Sequence, residues 1–412
     1  MKKLKIPQPR IGLLVVLAVG SSLLTTQARR VGDPGVTFDT AIINQNANDS
    51  SRNYDQMHEW KNAGRVGGIP WYSQITASGE EVLTQSDIDI LQTKINDAHF
   101  QGNLRSVKIS NSTFNFKWRF VDFKNGVVLL GSGKNSTKIR CRRTSTTGTT
   151  VFNAYNERDV GIVNMEIEYY TNTGLMPQDY LMENQEDITG GRDDTIVNMI
   201  NFAGPSNQNC WIQGSKVTNA GHTPITMSSR HCTLRDTDVE GAYNKGAGGS
   251  AYIRIFGESN LVYNNTAGKI RHVSIQTQAS KYNVVIRNNF SQDISFHTDD
   301  GGYNLVESNT ANLDAGMINA NPQWHAFLTV WSVVHDPVGD HNIVYKNTFQ
   351  RNGVRDTCFV PADPNNPQTT SWNVSNMWWG TVYRPWGTYH KCFRHDLAPH
   401  GGTFYPTTNV TY

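Results

Sequence analysis

The most constraining feature of this chain is a short phrase that recurs between Asn209 and Phe349. Asn260-Leu-Val-Tyr-Asn-Asn265-Thr, Asn283-Val-Val-Ile-Arg-Asn288-Asn, Asn304-Leu-Val-Glu-Ser-Asn309-Thr and Asn342-Ile-Val-Tyr-Lys-Asn347-Thr share one pattern: Asn, two β-favouring aliphatics, two variable residues, Asn. Looser copies begin at Asn209 and His231. With first positions 209, 231, 260, 283, 304 and 342, the steps are 22, 29, 23, 21 and 38 residues. A basal period near 22 with occasional insertions is the mark of stacked supersecondary units. The units hold short Val/Ile/Leu/Tyr runs broken by Asn, Gly and Ser, so they are strands and turns. The pattern predicts an all-β chain folded as a right-handed parallel β-helix, one coil per repeat. A recurrent Asn in one turn column suits side chains that hydrogen-bond up the stack. The competing reading is a β-sandwich with coincidental Asn spacing.

A solenoid grows along one axis, so 412 residues fit one continuous repeat domain. Residues 1–28 stand apart. Lys2, Lys3, Lys5 and Arg10 precede an apolar run from Ile11 to Leu24, and Thr26 and Ala28 occupy small-residue cleavage positions. That is the layout of a secretory signal peptide, the run being too short for a transmembrane helix. Its removal takes four positive charges from a formal +2 and leaves −2. A nearly neutral mature chain gives no electrostatic footprint for nucleic acid. The expectation is a secreted or periplasmic monomer with no membrane partner after cleavage.

Export would put five cysteines, Cys141, Cys210, Cys232, Cys358 and Cys392, in an oxidising compartment. Cys210 and Cys232 follow the first positions of adjacent repeats. They are therefore expected about 4.8 Å apart, within disulfide reach, as a bond or as stacked thiols. Cys358 and Cys392 are candidates for closing a C-terminal loop.

Residues 29–110 read as an N-terminal cap with first strands and one amphipathic helix over about 86–99. Ser86 is its N-cap, and Ile90, Leu91, Ile95 and Ala98 form its apolar stripe. Such a helix would cover the open end of the solenoid. Residues 111–352 are the β-helix, and 353–412 form an irregular aromatic-rich C-terminal cap. Glu183, Glu186, Asp187, Asp193 and Asp194 cluster in an interruption of the pattern.

Candidate chemistry comes from the strand after the variable insertion in each coil: Pro224–Met227, Tyr252–Phe256, Arg271–Ile275, Ile294–His297 and Phe327–Trp331. Alternation sends Ile253, Ile255, Val273, Ile275, Ile294, Phe296, Leu328 and Val330 inward. It sends Arg254, His272, Ser274, Ser295, His297, Thr329 and Trp331 outward. One exterior face then gathers Arg254, His272 and His297, with Lys245 and Tyr243 on an insertion beside them and Asp299 and Asp300 just beyond.

A basic face with histidines on an exported solenoid suits an extended anionic polysaccharide. Eliminative cleavage of a uronate needs its carboxylate neutralised, its C5 proton removed and the leaving O4 protonated. Arg254 is the candidate neutraliser, Lys245, His272 or His297 the base, and Tyr243, Tyr252 or a second histidine the acid. Tyr243, Tyr252, Arg271, Asp299 and Trp331 are candidate substrate contacts.

The repeats, the capping helix and the phrases Ile270-Arg-His-Val-Ser and Asp293-Ile-Ser-Phe-His297 resemble the pectate-lyase-like right-handed β-helix superfamily. Within it, they are most similar to secreted bacterial lyases of alginate or glucuronan. The resemblance spans about residues 85–350. It implies a Lys or Arg as base and neutraliser, sometimes with Ca²⁺, although no acidic cluster marks a metal site on this face. Two other functions fit the same residues. A glycoside hydrolase needs paired carboxylates, for which Asp236, Asp238, Asp299 and Asp300 are available. A non-catalytic carbohydrate-binding solenoid would also suit Arg, His and Trp on one face.

Overall fold

The computed structural model describes residues 59–70, 74–75, 80–83, 90–100, 104–117, 121–142, 150–170, 197–245, 250–296, 300–320, 325–328, 342–345, 347–355 and 357–358. It also describes the short strands Trp372–Asn373, Met377–Trp378 and Phe393–Arg394. The expected signal peptide, Ser86, His297, Asp299, Trp331, Cys392 and the acidic cluster at 183–194 lie outside the described residues.

The chain winds into a parallel β-helix of three long sheets, with 12, 8 and 10 strands. The strands of successive coils pair in parallel, as in Leu261–Tyr263 on Val284–Ile286 and Tyr252–Ile255 on His272–Ile275. Inward residues of all three sheets merge into one core running the length of the described coils, including Ile253, Val262, Val273, Val285, Ile294 and Val306.

The repeated asparagines hold the coils in register. Asn283 Oδ1 accepts the backbone N–H of Asn260 at 2.9 Å, while Asn283 Nδ2 donates to Asn304 Oδ1 and to the Gly257 carbonyl, each at 2.9 Å. Asn304 repeats the step to Asn342. A second ladder joins Asn265, Asn288, Asn309 and Asn347. These amides are buried, and burial is tolerable because, apart from Asn260 Nδ2, their donors and acceptors are matched along the stack. The residues before ladder positions Asn260, Asn265, Asn283, Asn288, Asn304 and Asn309, namely Ser259, Asn264, Tyr282, Arg287, Tyr303 and Ser308, take a positive φ that turns the chain from one sheet to the next.

The ladder corrects the register of the two looser copies by one residue. Thr233 pairs with Leu261, and the Cys232 amide donates to Asn260 Oδ1. The first ladder column therefore runs Cys210, Cys232, Asn260, Asn283, Asn304 and Asn342, while Asn209 and His231 are the positive-φ residues before it. Cys210 and Cys232 do occupy equivalent positions of neighbouring coils, as Trp211 pairs with Thr233. They are free thiols rather than a disulfide. Burial, and a hydrogen bond with Cys232, push the Cys210 thiol pKa up. Cys141 is also a free, buried thiol.

One end of the solenoid is covered by the helix Leu91–Phe100, whose Leu91, Ile95 and Ala98 are buried. Ile90, expected in that stripe, is 44% exposed, because it sits at the edge of the first turn. The helix also finishes the eight-stranded sheet. Gln92 Oε1 accepts the N–H of Asp122 at 2.7 Å and Gln92 Nε2 donates to its carbonyl at 2.9 Å, so a side-chain amide stands where another strand would pair. At the other end Met377–Trp378 and Phe393–Arg394 add to the twelve-stranded sheet in antiparallel fashion.

Residues 59–70 do something the sequence pattern did not suggest: they run along the outside of the twelve-stranded sheet. Trp60 and Ala63 pack on Leu261, Val284, Ile286 and Leu305. Trp60 Nε1 donates to the Tyr303 carbonyl at 2.7 Å, the Gly64 amide donates to Ser259, and Arg65 pairs with Asp159 at 2.7 Å and lies over the Trp211 ring. This strap crosses coils from Tyr303 back to Asp159. It explains why those strands are apolar on both faces, as parallel strands buried on two sides are. Gly64, at φ +88°, passes so close that a Cβ there would meet Thr233 Oγ1 at 2.7 Å and Leu261 Cβ at 2.8 Å.

Candidate functional site

The outer face of the eight-stranded sheet carries the polar side chains. Its strands are Val121–Asp122, Thr150–Tyr155, Asn198–Ala203, Ile225–Met227, Tyr252–Ile255, His272–Ile275, Ile294–Phe296 and Phe327–Leu328. Register aligns Asp122, Asn153, Asn201, Thr226, Arg254, Ser274, Ser295 and Leu328 in one column. Strand spacing puts neighbours in it about 4.8 Å apart.

Arg254 is half-buried at the middle of this column, its guanidinium 5.7 Å from the centre of the Phe256 ring. Burial lowers its pKa from the usual value, against an opposing influence of Tyr252. Arginine stays charged through such shifts, so the face holds a partly desolvated, fixed cation. Within reach of its charge is His222, in the turn before the Ile225–Met227 strand of the neighbouring coil. His222 Nδ1 lies 3.2 Å from Asn198 Oδ1 and 3.0 Å from Thr223 Oγ1. Its pKa falls to about 4, first because of burial and then because of the positive charge on Arg254. His222 is therefore neutral at ordinary pH, within the field of the Arg254 cation. Sequence reasoning passed over His222 because it precedes the alternating strand; the only available signal was its place two residues before Pro224.

His272 belongs to a different column. It pairs with Tyr252, while Arg254 pairs with Ser274. Its ring lies edge-on to Tyr252, with centroids 4.8 Å apart, and Nδ1 is 2.7 Å from Asp293 Oδ2. Gln292 Nε2 donates to the other oxygen of Asp293 at 2.7 Å. Burial lowers the His272 pKa, with Asp293 opposing and Arg271 assisting. The expectation that His272 stands exposed on the exterior is corrected: it is 1% exposed, and Asp293 is fully enclosed. Alternation gives a side chain's face, but not what covers that face.

Other expectations are corrected in the same way. Lys245 is fully buried rather than on an open rim, and its carbonyl accepts from Arg271 Nη1 at 3.5 Å. Tyr243 lies in the core, its ring 6.1 Å from that of Tyr169. Tyr252 is buried and Arg271 half-buried, its guanidinium 6.0 Å from the Tyr252 ring centre. At the far end the register is shifted by one. Phe327 pairs with Ile294 and packs in the core against Phe296 and Phe349, so the register partner of Ser295 is Leu328.

The acids proposed for hydrolysis serve elsewhere. Asp300 Oδ2 accepts from the Gly302 amide and from Asn304 and Asn342, anchoring the ladder. Asp236 is a positive-φ turn residue paired with Arg235. Asp238 is on the ten-stranded sheet, paired with Lys134 at 2.7 Å. Among the described residues no three His, Cys, Asp or Glu side chains gather as metal ligands.

No protein-family model matches this chain, and no curated protein matches it. Solved structures do. One is the catalytic domain of a GH87 α-1,3-glucanase in complex with nigerose, at 12% identity and TM-score 0.35, covering 68% of this chain and 41% of that one. Another is the A-module of the Azotobacter vinelandii mannuronan C-5 epimerase AlgE4, at 15% identity and TM-score 0.34, covering 67% of this chain and 74% of that one. The chain thus spans about two-fifths of the glucanase domain's length.

Proposed function

We propose that this protein is an exported polysaccharide-acting enzyme, secreted or periplasmic, that cleaves a uronic-acid-containing polysaccharide by β-elimination. The observation that carries the reading is Arg254 on the outer face of the eight-stranded sheet, with His222 on the neighbouring coil near enough for the Arg254 charge to lower its pKa. It joins a half-buried guanidinium to an imidazole that its environment keeps neutral. A guanidinium pairs a carboxylate through two parallel hydrogen bonds, and in a partly desolvated setting it withdraws charge strongly from the acid. That acidifies C5. Neutral His222 takes the C5 proton, the electron pair forms the C4–C5 double bond, and the C4–O4 bond breaks. O4 then takes a proton from an acid beside the site or from solvent.

Binding itself tunes the base. A substrate carboxylate on Arg254 offsets the charge that lowers the His222 pKa, so the imidazole becomes more basic once the substrate is seated. His272, held by Asp293, is buried against Tyr252 and packs beneath this face without reaching the substrate. The hydrolase reading has less support, since Asp236, Asp238 and Asp300 are engaged in turns, ion pairs and the ladder.

The test is incubation with alginate, glucuronan, pectate, hyaluronan and uronate-containing heteropolysaccharides, following ultraviolet absorbance of unsaturated ends. Wild type is expected to raise absorbance on at least one polymer. Arg254→Lys, which keeps charge but loses the planar fork, is expected to lose much of that turnover, and His222→Ala about 10²–10⁴-fold. New reducing ends without absorbance would replace the reading with hydrolysis. Polymer binding with neither signal would replace it with a binding module.

A further inference from the structure

The column through Arg254 changes character along the solenoid axis. On one side of Arg254 come Thr226, Asn201, Asn153 and Asp122, one coil at a time. Asn201 Nδ2 donates to Asn153 Oδ1 at 2.8 Å, and Asn153 Nδ2 donates to Asp122 Oδ1 at 3.1 Å. These three side chains are half-buried, so their outer surfaces face solvent. Two residues along the same strand from Asn153, and so on the same face, Tyr155 is 57% exposed. On the other side of Arg254, Ser274 and Ser295 are fully buried. Thr226, between Arg254 and Asn201, is also buried at 5% exposure, so the accessible positions on this side are Arg254 and, beyond Thr226, Asn201, Asn153 and Asp122, spread over about 19 Å, or four strand spacings.

We propose that this row is a set of sugar subsites running along the solenoid axis, and that its occupant is a mixed polysaccharide: a uronate unit on Arg254 and neutral units over Asn201, Asn153 and Tyr155. The proposal rests on the elimination reading for the Arg254 subsite and adds the sequence of the substrate to it. One strand spacing is close to the length of a pyranose unit, so consecutive units meet consecutive coils. The Asn201–Asn153 amides point fixed donors and acceptors at hydroxyls, and each amide has more hydrogen-bonding capacity than its ladder partner uses. An exposed aromatic ring beside them offers a flat apolar surface to the C–H face of a neutral sugar. A homopolymeric uronan in the same row would bring carboxylates over the amides and against Asp122, whose negative charge repels them. The row is matched to one carboxylate per several units.

The experiment is affinity electrophoresis of the intact wild-type chain at low salt. The gels contain alginate, polygalacturonate, a neutral β-glucan, or a heteropolysaccharide with one uronate among neutral sugars in each repeat. Turnover on each polymer is followed by ultraviolet absorbance. The heteropolysaccharide is expected to retard the protein most, at least about tenfold more strongly than either homouronan. Tyr155→Ala should weaken that retardation severalfold. Asp122→Asn, which keeps an oxygen to accept from Asn153, should strengthen binding to the homouronans. Equal or tighter binding of wild type to a homouronan, no binding to the heteropolysaccharide, or indifference to both substitutions overturns the proposal. If the mixed polymer binds as expected and no unsaturated ends form on any polymer, the elimination reading fails while the subsite row stands.

Discussion

Trp60→Ala probes the strap along the outside of the twelve-stranded sheet. Trp60 is 3% exposed and seats against Leu261, Val284, Ile286 and Leu305, outward positions of three successive coils. A buried Trp removes roughly 150–250 Å² from water. At about 25 cal/mol per Å² that is about 4–6 kcal/mol as an upper bound, in line with the roughly 3–5 kcal/mol typical of large-aromatic truncations. The substitution also leaves the Tyr303 carbonyl without the indole N–H that donates to it at 2.7 Å. Trp60→Phe separates the two effects. It keeps most of the apolar contact and loses the hydrogen bond, so about 1–2 kcal/mol is expected. Urea unfolding and hydrogen exchange at the strands Leu261–Tyr263, Val284–Ile286 and Leu305–Glu307 are the assays. Trp60→Ala should lower the unfolding midpoint clearly and strip protection from those three strands before the ones at Val127–Leu130. A loss under about 1 kcal/mol, or the same value for both variants, would refute the reasoning. In that case the strap would be an adherent tail rather than a wall of the fold.

His222 should give a pH signature: the acid limb of kcat/KM near pH 4, and that of kcat at higher pH, since bound carboxylate offsets the Arg254 charge; identical limbs would count against its role as base. Because the folded pKa of His222 lies below the unfolded 6.5, the unfolded chain binds more protons between these values, so its stabilisation is complete above pH 6.5 and is lost as pH falls toward 4, which urea titrations at several pH values with and without His222→Ala would reveal. Asn283→Ala leaves the Asn260 amide and the Gly257 carbonyl unmatched in a dry interior, and Asn304 Oδ1 with only the backbone N–H of residue 283. At about 1–3 kcal/mol for each buried group, a total near 3–5 kcal/mol is expected in urea unfolding, and a loss below about 1 kcal/mol would show that water or a neighbour restores the bonds.

The coil repeat was legible from sequence because its cause is local. Each turn needs a residue that tolerates positive φ, followed by a side chain that can both donate and accept, and both recur at the spacing of one coil. Where that chemistry changes, so does legibility. Cys210 and Cys232 fill ladder positions, and aligning the neighbouring Asn209 and His231 with the asparagines put two copies one residue out of register. Phe327 is a similar case, since an aromatic followed by Leu and a β-branched pair gives no parity of its own until Ile294 is found beside it.

The site was legible only in part. Arg254 followed from alternation, because a strand's period assigns a face without reference to the rest of the chain. The burial of His272 and Lys245, and the retreat of Tyr243 into the core, depend on what packs over or under them. The pairing of His272 with Asp293 arises from side chains one coil apart, and the tuning of His222 by Arg254 from neighbours on adjacent coils. Composition and periodicity determined that the chain coils, which residues turn it, and which strands bear polar faces, because these follow from backbone conformation and nearest-coil hydrogen bonds. Tertiary structure alone decided that residues 59–70 wall off the twelve-stranded sheet and that His222 feels the Arg254 charge, because desolvation and charge proximity are set by segments far apart in the chain that meet only when it is folded.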